Sequence, residues 1–119
     1  MKLHLENLPP SLHGVRAVLS RCLTAMDKAL PLKQVLLFGS HARGEARMDS
    51  DVDLCLVTEG AQSQLKASRI FREAIWEFRD CPSFTLLPIT PKRLFEKREN
   101  GDHFFHTVLS EGVVLANEN

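Results

Sequence analysis

Two neighbouring segments constrain the fold more than the rest of the chain. Val35-Leu-Leu-Phe38 is an unbroken apolar run that stops at Gly39-Ser40, and after a charged loop the chain reads Asp51-Val-Asp-Leu-Cys-Leu-Val57. A short continuous apolar run predicts a strand covered on both sides. The second segment alternates: Val52, Leu54 and Leu56 share one strand face, and Asp51, Asp53, Cys55 and Val57 share the other. Only the beginning of that second face is polar, so two carboxylates stand where a buried strand starts.

The remaining chain supplies helices and further strands around this pair. Apolar residues at Leu12, Val15, Leu19, Cys22, Met26 and Leu30 recur in steps of three and four, predicting a helix over 11–30 that Pro31 stops. Ser40 is suited to cap a short helix over 41–47. Ala67, Ile70, Phe71, Ala74, Ile75 and Phe78 mark a second amphipathic helix running to about Arg79. A strand over 84–89 should lie at a sheet edge or end there, because Pro88 cannot donate to a ladder. Thr90-Pro91 opens a helix, a last helix runs from Asp102 to Gly112, and 113–116 adds a short strand before a frayed tail at 117–119. Neither repeats nor linkers appear, so residues 1–119 are read as a single domain.

Composition narrows the function. With 15 basic and 15 acidic side chains in 119 residues, the chain lacks the diffuse positive charge of a protein that grips long nucleic acid by its phosphates. The start of the chain has no charged leader followed by an apolar run, and no stretch approaches a membrane span, so we expect a cytoplasmic protein. Cys22, Cys55 and Cys81 are far apart in sequence, with no Cys-x-x-Cys, which predicts three buried thiols and neither a disulfide framework nor a zinc site.

The chemistry concentrates at the carboxylates. Side chains two apart on a strand project from one face, roughly 6–7 Å apart at the backbone. Two such unpaired charges repel by roughly 2 kcal/mol at an effective dielectric of about 20, and a divalent cation relieves this. Magnesium or manganese suits such oxygen ligands and commonly binds one or two carboxylates together with substrate phosphates. The preceding loop fits phosphate: Gly39 admits close backbone approach, Ser40 offers a hydroxyl, and the first amides of the short helix attract anions. Arg43 can reach a triphosphate tail, Gly44 lets the chain turn, and Ser50 immediately precedes the first carboxylate. The loop is neither a Walker A motif nor a dinucleotide fingerprint.

The combination of a strand, Gly39-Ser40, Ala42-Arg-Gly44 and Ser50-Asp-x-Asp-Leu54 leading a second strand resembles the minimal nucleotidyltransferases of the polymerase-beta-like superfamily. The resemblance implies an α/β (α+β) fold, a small mixed sheet flanked by helices. It implies Asp51 and Asp53 as catalytic metal ligands, with Gly39, Ser40, Arg43 and Ser50 binding the nucleotide. ATP is then the substrate, magnesium or manganese the cofactor, and AMP the group moved to a hydroxyl. Stand-alone members resemble antitoxins whose partner is a HEPN-type toxin. Such families usually carry a third carboxylate on a later strand, and in this chain that position falls on Thr85, which favours a rival reading: a weakened nucleotide-binding antitoxin that acts by occupying its partner. A third reading, an antibiotic-modifying transferase, needs a homo-oligomer to complete its acceptor site.

Other polar residues receive plainer expectations. His41 occupies a variable place in the motif and is expected to be exposed, and Arg47 to be a solvated surface charge. His103 and His106 share a helix face without a third metal ligand, and Lys92, Arg93, Lys97 and Arg98 form a solvated basic face. Trp76 flanks its helix, either in the core or at a contact with a partner.

Overall fold

The computed structural model describes residues 1–118. In chain order the elements are β1 (Lys2–Leu3), 3-10 turns at Leu5–Asn7 and Pro10–Val15, α1 (Arg16–Ala29), β2 (Gln34–Phe38), α2 (Gly39–Ala42) and β3 (Val52–Val57). There follow α3 (Gln64–Ala74), β4 (Phe84–Ile89), α4 (Pro91–Glu99), α5 (His103–Glu111) and β5 (Val113–Asn117). The strands form one five-stranded sheet in the order β1-β5-β2-β3-β4. β3 and β4 are parallel and every other pair is antiparallel. This is the mixed sheet flanked by helices expected above.

Strand alternation sorts the core into two layers. Val35, Leu37, Val52, Leu54, Leu56 and Leu115 face one way and pack with Leu19, Leu23 and Met26 of α1 and Ala67 and Phe71 of α3. Leu36, Cys55 and Val57 face the other way, against Leu94 of α4 and Phe105 and Val108 of α5. Both central strands are therefore covered on both sides, as their sequences require. β4 is an edge strand, which tolerates Pro88 opposite Leu56.

Several boundaries differ from expectation, each for a local reason. The helix expected over 11–30 begins at Arg16. Its first part, Pro10–Val15, winds as a 3-10 turn, which places Leu12 and Val15 on one side just as an α-helix would. The helix expected over 41–47 is only Gly39–Ala42, because Gly44 at φ 73° turns the chain out of it. Its N-cap is Phe38, so Ser40 caps nothing. α3 ends at Ala74 and relaxes into turns in which Ile75 and Phe78 donate to the carbonyls three residues back. Ile75 stays buried, whereas Trp76 is 84% exposed and lies outside the core. The carboxylate strand starts at Val52, one residue after Asp51. Asn117 does not fray: it pairs with Lys2 and Gln34 across both neighbouring strands, and its Oδ1 meets His4 Nε2 at 2.8 Å. The expectation for Asn119 lies outside the described residues.

Candidate active site

The site lies where β2 ends and β3 begins. Antiparallel register sets Asp53 opposite Phe38, and parallel register sets it opposite Thr85. Asp53 is thus held on the face that α4 and α5 cover further along, at the end of the strand where their cover gives out. Gly39, next in sequence to Phe38, has φ 77°. A Cβ there would collide with Asp53 Oδ2 and stand 2.9 Å from its Cγ. Glycine is therefore required twice, by backbone conformation and by the carboxylate lying against it.

Asp51 is exposed and Asp53 half-buried. Burial raises the Asp53 pKa above its ordinary value, the Thr85 hydroxyl opposes that shift, and the negative charge of Asp51 adds to it. Thr85 Oγ1 donates its proton to Asp51 Oδ2 at 3.2 Å. Basic side chains pair elsewhere: Arg21 with Asp80, Lys33 with Glu118, Arg43 with Glu45 and Glu111, and Lys97 with Asp102. Among the described residues no ion pair includes Asp51 or Asp53. Two convergent carboxylates without a protein cation suit a divalent ion shared with phosphate oxygens. No group of three or more His, Cys, Asp or Glu side chains placed to hold a metal occurs among the described residues.

The other expected residues divide. Ser40, in the single turn of α2, keeps its hydroxyl free of capping, beside Gly39. Arg43 lies close enough to favour the ionised form of Asp53, but its guanidinium donates to Glu45 at 2.8 Å and to Glu111 at 3.4 Å, which raises its own pKa. Ser50 spends its hydroxyl on the loop, accepting from the Arg47 backbone N–H at 2.8 Å. Asp80, the nearest acid before β4, is engaged by Arg21 at 3.3 Å on the surface.

His41 corrects the reading of an exposed side chain: it is only 6% exposed. Its Nδ1 lies 2.8 Å from Ser11 Oγ and its Nε2 3.4 Å from the Ser50 carbonyl. A carbonyl only accepts, so Nε2 donates to Ser50, and in the neutral ring Nδ1 accepts from Ser11. The ring thereby ties α2 and the 3-10 turn at Pro10–Val15 to the residue before Asp51. Phe38 meets Phe104 of α5 edge to face at 6.0 Å, forming an apolar wall beside the site.

A family model described as Nucleotidyltransferase domain matches residues 19–111. That match contains α2, both carboxylates and Thr85, and the chain belongs to this family. Its chemical class is accordingly nucleotidyl transfer. No curated protein matches the chain.

Proposed function

We propose that this chain transfers AMP from ATP to a hydroxyl of a partner protein, a HEPN-type toxin, and acts in the cytoplasm as its antitoxin. The observation that carries the reading is the uncompensated Asp51 and Asp53 pair packed against Gly39, with Ser40 alongside. In this reading Asp51 and Asp53 hold magnesium, Gly39 admits the triphosphate close to the backbone, and the Ser40 hydroxyl donates to a phosphate oxygen. When bound, magnesium neutralises phosphate charge and stabilises the departing pyrophosphate. The acceptor hydroxyl oxygen forms a bond to the α-phosphorus and releases its proton to solvent as the bond to pyrophosphate breaks. Arg43 would join the phosphates by exchanging one of its carboxylate partners for a phosphate oxygen, a geometry its planar fork accepts equally.

A second reading has its own support. Thr85 presents a hydroxyl to Asp51 at the position where the resemblance expects a third acid, and a hydroxyl of ordinary acidity is no general base at neutral pH. On that reading the chain binds a metal-nucleotide complex and silences its partner by occupying it.

The two readings separate when α-labelled ATP, magnesium, the chain and the protein encoded beside it are incubated and label is followed by gel and intact mass. Label on the partner that disappears with Asp53→Asn supports transfer. Tight partner binding without label supports occupancy. Thr85→Asp tests the ground of the second reading: a raised transfer rate at saturating magnesium means the missing acid limits catalysis, and an unchanged rate removes Thr85 as an argument for occupancy.

A further inference from the structure

Away from the carboxylates, one close contact has no role in the site. Cys22, fully buried on α1, and Cys81, half-buried between α3 and β4, bring their sulfurs to 2.9 Å, and both are free thiols. A covalent S–S bond is about 2.0 Å long, so roughly an ångström of travel would join them. The expectation of three buried thiols holds for Cys22 and Cys55 and is corrected for Cys81, which is half-buried, and Cys55 lies in the opposite core layer. Burial pushes the Cys55 thiol up to about 12 and, with the neighbouring Cys81, raises Cys22 as well. Cys81 is the member of the pair that reaches solvent.

The surroundings hold the two sulfurs together from both sides. Arg21, beside Cys22, pairs with Asp80, beside Cys81, at 3.3 Å and lies over the Phe78 ring at 6.0 Å. The Ser83 carbonyl accepts from the Val52 N–H at 2.8 Å, which fixes the segment after Cys81 to the start of the carboxylate strand.

We infer that Cys22 and Cys81 are a redox-active pair, a modification site at which a small disulfide converts the reduced chain to one with an intramolecular Cys22–Cys81 bond. The Cys81 thiolate attacks one sulfur of the small disulfide, whose S–S bond breaks and releases one thiolate, leaving a mixed disulfide on Cys81. Cys22 then attacks the Cys81 sulfur and expels the second thiolate, which takes up the Cys22 proton as it leaves. Two electrons pass from the cysteines to the small disulfide, which leaves as two thiols. The closed form links α1 to the segment before β4 and restricts the unfolded chain, so it melts at a higher temperature. None of this depends on nucleotidyl transfer.

Oxidised glutathione is the probe. The reduced full chain is incubated with it in excess, denatured, alkylated, and read by intact mass and peptide mapping. The expected product takes alkylation at Cys55 alone, yields a linked peptide containing Cys22 and Cys81, and has a raised Tm that falls again on reduction. Cys22→Ser should stop at a glutathione adduct on Cys81. Three alkylated thiols, a stable glutathione adduct on Cys81 of the unsubstituted chain, or a link through Cys55 would each overturn the inference. The measurement on the unsubstituted chain decides the matter even if the variant misfolds.

Discussion

At the scale of single residues, Asp53 sets chemistry against stability. Its pKa is raised in the fold, chiefly by burial, so the folded chain holds this proton more tightly than the unfolded one. The associated stability is present at pH below the unfolded value and is lost as pH rises through the folded one. Ionised Asp53 therefore works against folding at neutral pH. Asp53→Asn should abolish magnesium-nucleotide binding while leaving the Tm in metal-free buffer unchanged or higher, and a clearly lower Tm would contradict this. Gly39→Ala should fold yet bind magnesium-ATP at least about tenfold more weakly by calorimetry, a loss of about 1.4 kcal/mol, since the added methyl must push the Asp53 carboxylate aside. The positive φ adds about 1–2 kcal/mol of destabilisation. Both carboxylates and Gly39 were legible because their spacing is local. His41 was not: it is buried and hydrogen-bonded to Ser11, thirty residues away, and no local pattern reports such a partner.

At the scale of elements, apolar periodicity located β2, β3 and the buried faces of α1 and α3, since each is decided by neighbours a few residues apart. It could not separate the 3-10 turn at Pro10–Val15 from α1, because both geometries align residues three apart over so short a run. The caps were legible and carry consequences. Thr90 accepts from the Arg93 N–H at 3.2 Å and is buried, so Thr90→Ala should cost about 1 kcal/mol, measured by denaturant unfolding. Asp102 accepts from the Phe105 N–H at 3.0 Å, and this bond holds its pKa below the ordinary value. Its stabilisation of α5 is present above the unfolded pKa and disappears as pH falls through the folded one. The protection of α5 amides, taken relative to the intrinsic exchange rate at each pH, should therefore fall at acid pH in the unsubstituted chain, and Asp102→Asn, which keeps an acceptor without the charge, should remove Asp102's share of that dependence.

At the scale of the whole molecule, strand order is the property that the sequence concealed. β1 is two residues long, and β5 lies between β1 and β2 although nearly the whole chain separates it from β1. Only the assembled sheet makes these pairings visible, because they bring together residues from opposite ends of the chain. The family match over 19–111 omits both segments, yet the structure gives them core positions: Leu5, Leu8, Leu12, Val18, Leu115 and Ala116 are all buried. Burying a Leu or Val side chain is worth about 1.5–3 kcal/mol, so losing the larger five removes on the order of 10 kcal/mol, comparable to the whole stability of a small domain. Loss of β5 also bares the backbone edge of β2, an invitation to aggregate. A chain trimmed to 19–111 should therefore show no cooperative thermal transition by circular dichroism, even though it retains every candidate site residue. By contrast, Leu115→Ala in the full chain should lower stability by about 3 kcal/mol and preserve cooperativity. If the trimmed chain melted cooperatively near the temperature of the full one, the fold would have to draw its stability from the helices and β2–β4 alone.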